Sequence, residues 1–225
     1  MDALSDQKIV DSWQKNVSPW VKAVHGKEIE SRRLVTDRAI VDEILSLPGR
    51  TVLDIGCGEG WLARALSSKG YSVVGVDAVA GLVDVASEKG GGDFRVIDYD
   101  ALSSSQFDET YDIAVCNFSL IGKESVAHIF NVIPSILSDG GHFIIQTLHP
   151  CTQLGEATYE DGWREGSWEG FSEAFVDPAP WYFRTLESWI TLFVSNGLVL
   201  NRLKESVNPR TGDVVSMLMV GRVVS

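Results

Sequence analysis

Positions 52–60 read "VLDIGCGEG": an apolar run, one aspartate, then three glycines alternating with Cys57 and Glu59. The run from Thr51 to Ile55 has the length and composition of a short buried strand, and the helical pattern "WLARALSSKG" follows the glycines. Glycines between a strand and a helix let backbone approach a ligand more closely than a side chain would allow. Working outward, "YSVVGVD", "DFRVID", "YDIAVCNF" and "GHFIIQTL" are further apolar runs. The helical patterns "GLVDVASEKG" and "ESVAHIFNVIPSIL" lie among them. This alternation predicts parallel βαβ units and an α/β, Rossmann-like, doubly wound sheet. Its ligand belongs beyond the carboxyl ends of the strands, where the glycine loop lies.

The flanks complete the expected organisation. Residues 1–48 read as a helical N-terminal cap stopped by "LPG", and residues 49–150 as the ligand-binding core. Residues 151–184 form a glycine- and aromatic-rich insert. Residues 185–225 read as the helix "TLESWITLFVSNG" and a hairpin around "NPRTG", which makes the last strand antiparallel. At 225 residues and 44% hydrophobic composition, one domain with a full core is expected. The formal net charge of −12 makes a nucleic-acid partner unexpected, because non-specific affinity for phosphate rests on basic residues. The opening "MDALSDQKIVDSW" has no signal-peptide pattern, and no apolar run is long enough to span a membrane. The cysteines, Cys57, Cys116 and Cys151, are odd in number and lack metal spacing. A reduced, cytoplasmic protein without a metal is the expectation.

Spacing bears on the ligand. A dinucleotide fingerprint is G-x-G-x-x-G, but the glycines here stand at 56, 58 and 60, with Trp61 next. That counts against an NAD-dependent oxidoreductase. Asp54 would repel a pyrophosphate and suits a ligand with a cationic amine. Asp77 ends the second strand, 21 residues after Gly56, where an acid bonds ribose hydroxyls. A ribose, an amine and no favoured phosphate point to S-adenosylmethionine.

The stretches "VLDIGCGEG", "VVGVDA", "YDIAVCNFSL" and "LSDGGHFIIQTLHP" resemble the successive motifs of class I S-adenosylmethionine-dependent methyltransferases, over roughly residues 50–150. The resemblance implies a seven-stranded sheet with a reversed last strand, and S-adenosylhomocysteine as product. It implies that Gly56, Cys57, Gly58 and Gly60 surround the methionine portion, with Asp54 near its amino group. Asp77 would bind the ribose, and Ala78 would lie against the adenine. Beside the adenine, Asp98 and Tyr99 fit one alignment and Asp100 with Ala101 another. Asn117 and Phe118 would border the sulfonium. Arg33 resembles an arginine that pairs with the cofactor carboxylate in some relatives; Arg32 is an equally adjacent candidate.

The acceptor side is read from residues 149–184. His149 follows the fifth strand and is the expected general base, its ordinary pKa of about 6.5 suiting proton removal near neutrality. The alternative is that it only packs or bonds a loop carbonyl. His25, His128 and His142 are expected to be structural. The insert carries Trp163, Trp168, Phe171, Trp181 and Tyr182, which suit an aromatic lid over a sulfonium or a cover for the sheet edge. Residues 151–180 hold seven acids and one arginine, a balance that would disfavour anionic acceptors. "WYFRTLESWITLFVSNGLVL" resembles the late segment of small-molecule methyltransferases. That resemblance implies Tyr182 and Arg184 facing the acceptor, Tyr182 as a second catalytic candidate, and Trp163 and Trp181 beside them. A small-molecule acceptor is expected, with oxygen, nitrogen and sulfur all open. A non-catalytic cofactor-binding sensor or partner subunit shares the same glycines and acids.

Overall fold

The computed structural model describes residues 4–152 and 157–223. Positions 153–156 of the expected insert, 1–3 of the cap and the last two residues lie outside the described residues. The strands are β1 Thr51–Ile55, β2 Ser72–Asp77, β3 Asp93–Val96, β4 Tyr111–Asn117, β5 Leu137–Thr147, β6 Gly162–Arg164, β7 Trp181–Phe183, β8 Leu198–Val207 and β9 Val214–Val223. Seven of them form one sheet in the order β3-β2-β1-β4-β5-β9-β8. β1 to β5 pair in parallel, and β9 runs antiparallel to both β5 and β8. This is the Rossmann-like sheet that the alternation predicted, with the reversed last strand that the terminal hairpin and the family resemblance implied.

The helices are α1 Asp6–Lys15, α2 Val17–His25, α3 Asp37–Leu45, α4 Trp61–Ser67, α5 Ala80–Lys89, α6 Glu124–Ile136 and α7 Leu186–Ser195. The central strands are apolar on both sides because helices cover both faces. Leu53 and Ile55 pack with Phe130, Phe143 and Phe193 on one face. Val52 packs with Ile40, Leu62 and Leu66 on the other. Side chains alternate along a strand, so Asp54 shares the second face with Val52 at the carboxyl end of β1.

Two features depart from the sequence expectation. Residues Arg32–Thr36 form a π-helical turn between α2 and α3. The insert contains a small antiparallel ladder in which Trp163 faces Tyr182.

α1 is fixed over the strand ends by its first residue. The Asp6 carboxylate accepts backbone N–H bonds from Lys123 (2.7 Å), Glu124 (2.9 Å) and Ser125 (3.1 Å). Those donors open α6 and have no intrahelical partner, and the negative charge also complements the helix dipole. α1 is joined to the insert as well. Asp177 receives Lys8 at 2.7 Å and Lys15 at 2.5 Å, while the buried Asn16 amide pairs both ways with the Val176 backbone, at 2.8 and 2.9 Å. Cap and insert thereby form one continuous wall.

Candidate active site

Behind that wall, at the carboxyl ends of β1, β2 and β4, lies a cavity of about 640 Å³. Small-molecule sites span roughly 300–1,000 Å³. The loop after β1 forms its floor and is tied to β2. The N–H groups of Gly56 and Cys57 both bond the Val76 carbonyl, at 2.8 and 3.0 Å. Asp77 accepts the Gly58 N–H at 2.9 Å on one oxygen and the Val79 N–H at 2.9 Å on the other. Each oxygen keeps a second lone pair for a ligand hydroxyl. Burial raises the Asp77 carboxyl above its ordinary pKa, opposed by those two bonds.

The three glycines do different work. A Cβ on Gly58 (φ +56°) would have the Trp20 indole nitrogen, at 3.8 Å, as its only near neighbour, so its open side faces the cavity. Gly56 (φ +75°) borders the cavity too, but a Cβ there would overlap the Tyr99 hydroxyl and Ser119. Gly60 does not border the cavity: a Cβ there would press on Ala86 and Phe94, each at 2.9 Å. The expectation that it surrounds the ligand is corrected; it lets the start of α4 approach α5 and β3.

Asp54 lies beneath the loop, buried and not itself on the cavity border, with Oδ2 lacking any hydrogen-bond partner. Burial, then the charge of Asp77, pushes its carboxyl up to about 7. Asn117 borders the cavity from the end of β4, and its Oδ1 is likewise buried and unpaired. Phe118 follows in the left-handed region at φ +55°, a conformation that costs a non-glycine residue about 1–2 kcal/mol. An unmade hydrogen bond at a buried polar atom costs about 1–3 kcal/mol. Asn117 presents such an acceptor at the cavity border, and Asp54 holds one beneath the loop on the neighbouring strand.

Ala78, Asp98, Tyr99 and Asp100 all border the cavity beyond Asp77. Asp98 caps the short turn Tyr99–Ala101 through the Asp100 N–H at 3.1 Å. Both alignments of this region therefore bring an acid to the cavity. Cys57, also at its edge, is a buried thiol raised far above its ordinary pKa, chiefly by burial.

Arg33 does not reach the cavity: its side chain is 48% exposed and 3.9 Å from Glu30. Arg32 does, with a side chain 13% exposed and its Nε 2.9 Å from Asp37. Its guanidinium lies 4.8 Å from the Trp61 ring and 5.8 Å from the Trp20 ring. Adjacent residues in a helical turn project in different directions, so the two arginines face different ways.

On the acceptor side, Trp181, Tyr182 and Arg184 border the cavity, whereas Trp163 does not. The Trp163 ring meets Tyr182 edge-on at 5.5 Å and supports it. His149 is turned away from the cavity. Its Nδ1 accepts the Cys151 N–H at 3.2 Å, and its Nε2 lies 2.9 Å from the Glu205 carboxylate on β8. With Nδ1 accepting, Nε2 carries the proton, and no lone pair is left for an acceptor. The general-base expectation for His149 is therefore corrected: Leu148 and Pro150 flank the cavity while the imidazole braces the end of β5 against β8. Among the other histidines, His25 is less isolated than expected. It contacts the buried Glu59 at 2.9 Å and so joins α2 to the glycine loop.

Sequence reasoning missed the contribution of α1 and α2. Asp6, Gln7, Trp13 and Trp20 all border the cavity. Trp13 on α1 and Trp20 on α2 meet edge-on at 5.0 Å, and their seven-residue spacing in the sequence was the available signal. Among the described residues no group of histidine, cysteine and acidic side chains is arranged to hold a metal, and no helix is long and apolar enough to cross a membrane.

Comparison with known proteins agrees with this geometry. A family model described as a methyltransferase domain matches residues 30–201. The ubiquinone biosynthesis O-methyltransferase of Rickettsia felis is 28% identical over 166 residues, covering 68% of this chain. The chain spans 65% of that relative's length. An S-adenosylmethionine-dependent methyltransferase from Mesorhizobium loti superposes with a TM-score of 0.64 at 21% identity, covering 81% of this chain and 96% of its own. Magnesium protoporphyrin IX methyltransferase from Synechocystis, solved with bound S-adenosylmethionine, gives 0.66 at 18% identity, covering 99% and 100%. At such identities the two structures establish the fold. The family match, which takes in the glycine loop, Asp77 and all five parallel strands, establishes more: the chain belongs to the class I S-adenosylmethionine-dependent methyltransferase family.

Proposed function

We propose that the protein binds S-adenosylmethionine in this cavity and transfers its methyl group to a small molecule, the whole chain acting as one domain. The observation that carries the reading is the Asp77-tethered glycine loop on the cavity floor, with the buried, unpaired Asn117 Oδ1 at its border and Asp54 Oδ2 beneath it. Their chemistry fits the cofactor's ammonium, and the two remaining lone pairs of Asp77 fit its ribose hydroxyls. Arg32, held between two indoles, fits its carboxylate. Bound there, the cofactor supplies a methyl group on a positively charged sulfur, already activated for displacement. The chain's own part is to align the acceptor, exclude water and hold the cofactor by Asp54, Asp77 and Asn117. Trp13, Trp20 and Tyr182 would close over it. The Rickettsia relative's name, an O-methyltransferase of ubiquinone biosynthesis, is compatible with a small-molecule acceptor.

Calorimetry tests the binding. S-adenosylmethionine and S-adenosylhomocysteine should give heat, and NAD should give none. The Asp54 carboxyl, at about 7 in the fold against an ordinary value near 4, adds a pH signature. A carboxyl whose folded pKa is raised holds a proton that the unfolded chain has already lost. The ligand-free protein therefore loses stability as pH climbs from about 4 through about 7. An ammonium placed on Asp54 favours the ionised form, so ligand affinity should rise over the upper part of that window, with proton release below about pH 7. Asp54→Asn should flatten the dependence. NAD binding without a response to S-adenosylmethionine would reject the reading, and a pH-independent affinity would remove Asp54 from the ammonium site.

A further inference from the structure

Arg184 is a buried cation in the cavity wall. It is only 6% exposed, yet it forms no ion pair among the described residues. Two of its N–H groups bond the carbonyls of Gly122 (2.7 Å) and Lys123 (2.9 Å). Its guanidinium carbon stands 4.8 Å from the Tyr182 ring and 5.2 Å from the Trp189 ring. A guanidinium has five N–H donors, so three are left beyond the two carbonyl bonds. Burial pulls its pKa down to about 10, the direction expected when a desolvated cation is not fully compensated.

The carboxylates that bear on it are committed elsewhere. Asp6 caps α6. Asp161 accepts the Thr185 N–H at 2.8 Å. Glu124 pairs with Lys123 at 3.1 Å. The acids of the insert, whose number suggested that anions would be excluded, mostly point away: Asp177 is held by Lys8 and Lys15, and Glu165 is the one described acid of the insert that borders the cavity. Buried charges in proteins are ordinarily paired, and Arg184, which borders the cavity, has no carboxylate partner among the described residues. The same chamber is walled by rings. Trp13 and Trp168 meet edge-on at 5.7 Å, Trp168 and Phe171 at 5.6 Å, and Trp181 also faces it.

We propose that the methyl acceptor is an aromatic anion, its ring lodged among Trp13, Trp168, Phe171 and Trp181 and its oxyanion received by the spare donors of Arg184. This rests on the reading that the same cavity holds S-adenosylmethionine, whose sulfonium would further favour an anionic neighbour. Hydrogen bonds to a charged group contribute about 1.5–3 kcal/mol, equivalent to roughly 10- to 150-fold in affinity.

The test uses the full chain saturated with S-adenosylhomocysteine and three ring probes of one size: benzoate, benzamide and benzylammonium. Binding is read by calorimetry and tryptophan fluorescence. Benzoate should bind at least about tenfold tighter than benzamide, with benzylammonium weakest. Arg184→Gln should erase the preference for benzoate. Trp168→Ala should weaken benzoate and benzamide alike while keeping their ratio. If Arg184→Gln does not fold, the wild-type ranking together with Trp168→Ala decides the matter. Equal binding of benzoate and benzamide, or tightest binding of the amine, overturns the proposal. Failure of S-adenosylhomocysteine itself to bind would instead overturn the cofactor reading.

Discussion

Asp77→Ala should weaken S-adenosylhomocysteine binding by roughly 10- to 150-fold for each charged hydrogen bond lost to the ribose. The carboxylate has two tasks, and the substitution removes both. It holds the glycine loop through the Gly58 N–H and turns the chain into α5 through the Val79 N–H. Its free lone pairs then meet the ligand. Asp77→Asn separates the tasks. The amide oxygen can keep one of the two N–H bonds, while its NH₂ group is forced against the other donor. Intermediate affinity is expected from Asp77→Asn, with circular dichroism unchanged in both variants. Wild-type affinity in Asp77→Ala would show that the ribose lies elsewhere.

The second large effect separates two glycines of the same loop. In Gly56→Ala the new methyl overlaps the Tyr99 hydroxyl and Ser119 in a backbone already at φ +75°. Left-handed backbone costs a non-glycine residue about 1–2 kcal/mol, and overpacking a core position about 1–3. A stability loss of about 2–5 kcal/mol is the sum, a large fraction of what a domain possesses. In Gly58→Ala the methyl enters open space toward the cavity, so the backbone term alone applies. That variant should lose about 1–2 kcal/mol of stability and a larger share of its cofactor affinity. Denaturant unfolding and calorimetry on both variants give the comparison. Equal stability losses with equal affinity losses would mean that Gly58 does not face the ligand.

The parts of the site written into local pattern were legible. The apolar run before Asp54, the glycines and Asp77 form a strand, a loop and a strand end, each set by a short stretch of sequence. The sheet and the hairpin that reverses β9 are local signals of the same kind. Side-chain direction was not legible where a residue leaves regular structure. His149 follows the end of β5, and strand alternation no longer fixes its orientation. Its partner Glu205 comes from β8, a contact between residues far apart in the chain. The choice between Arg32 and Arg33 turned on which side of one turn faces the cavity, where the Arg32 guanidinium meets Trp20 and Trp61 from other elements. The wall built from α1 and the insert depends on Asp177, Asn16 and Asp6 meeting partners more than a hundred residues away.

The central claim is transfer, and a labelled methyl group tests it most directly. The purified protein is incubated with methyl-deuterated S-adenosylmethionine and a metabolite extract, and the products are separated by mass spectrometry. The account predicts S-adenosylhomocysteine formation, the label on a small molecule, and loss of both in Asp77→Ala at limiting cofactor. Tight cofactor binding with no labelled small molecule in any extract fraction would contradict it and leave a protein that holds S-adenosylmethionine without spending it.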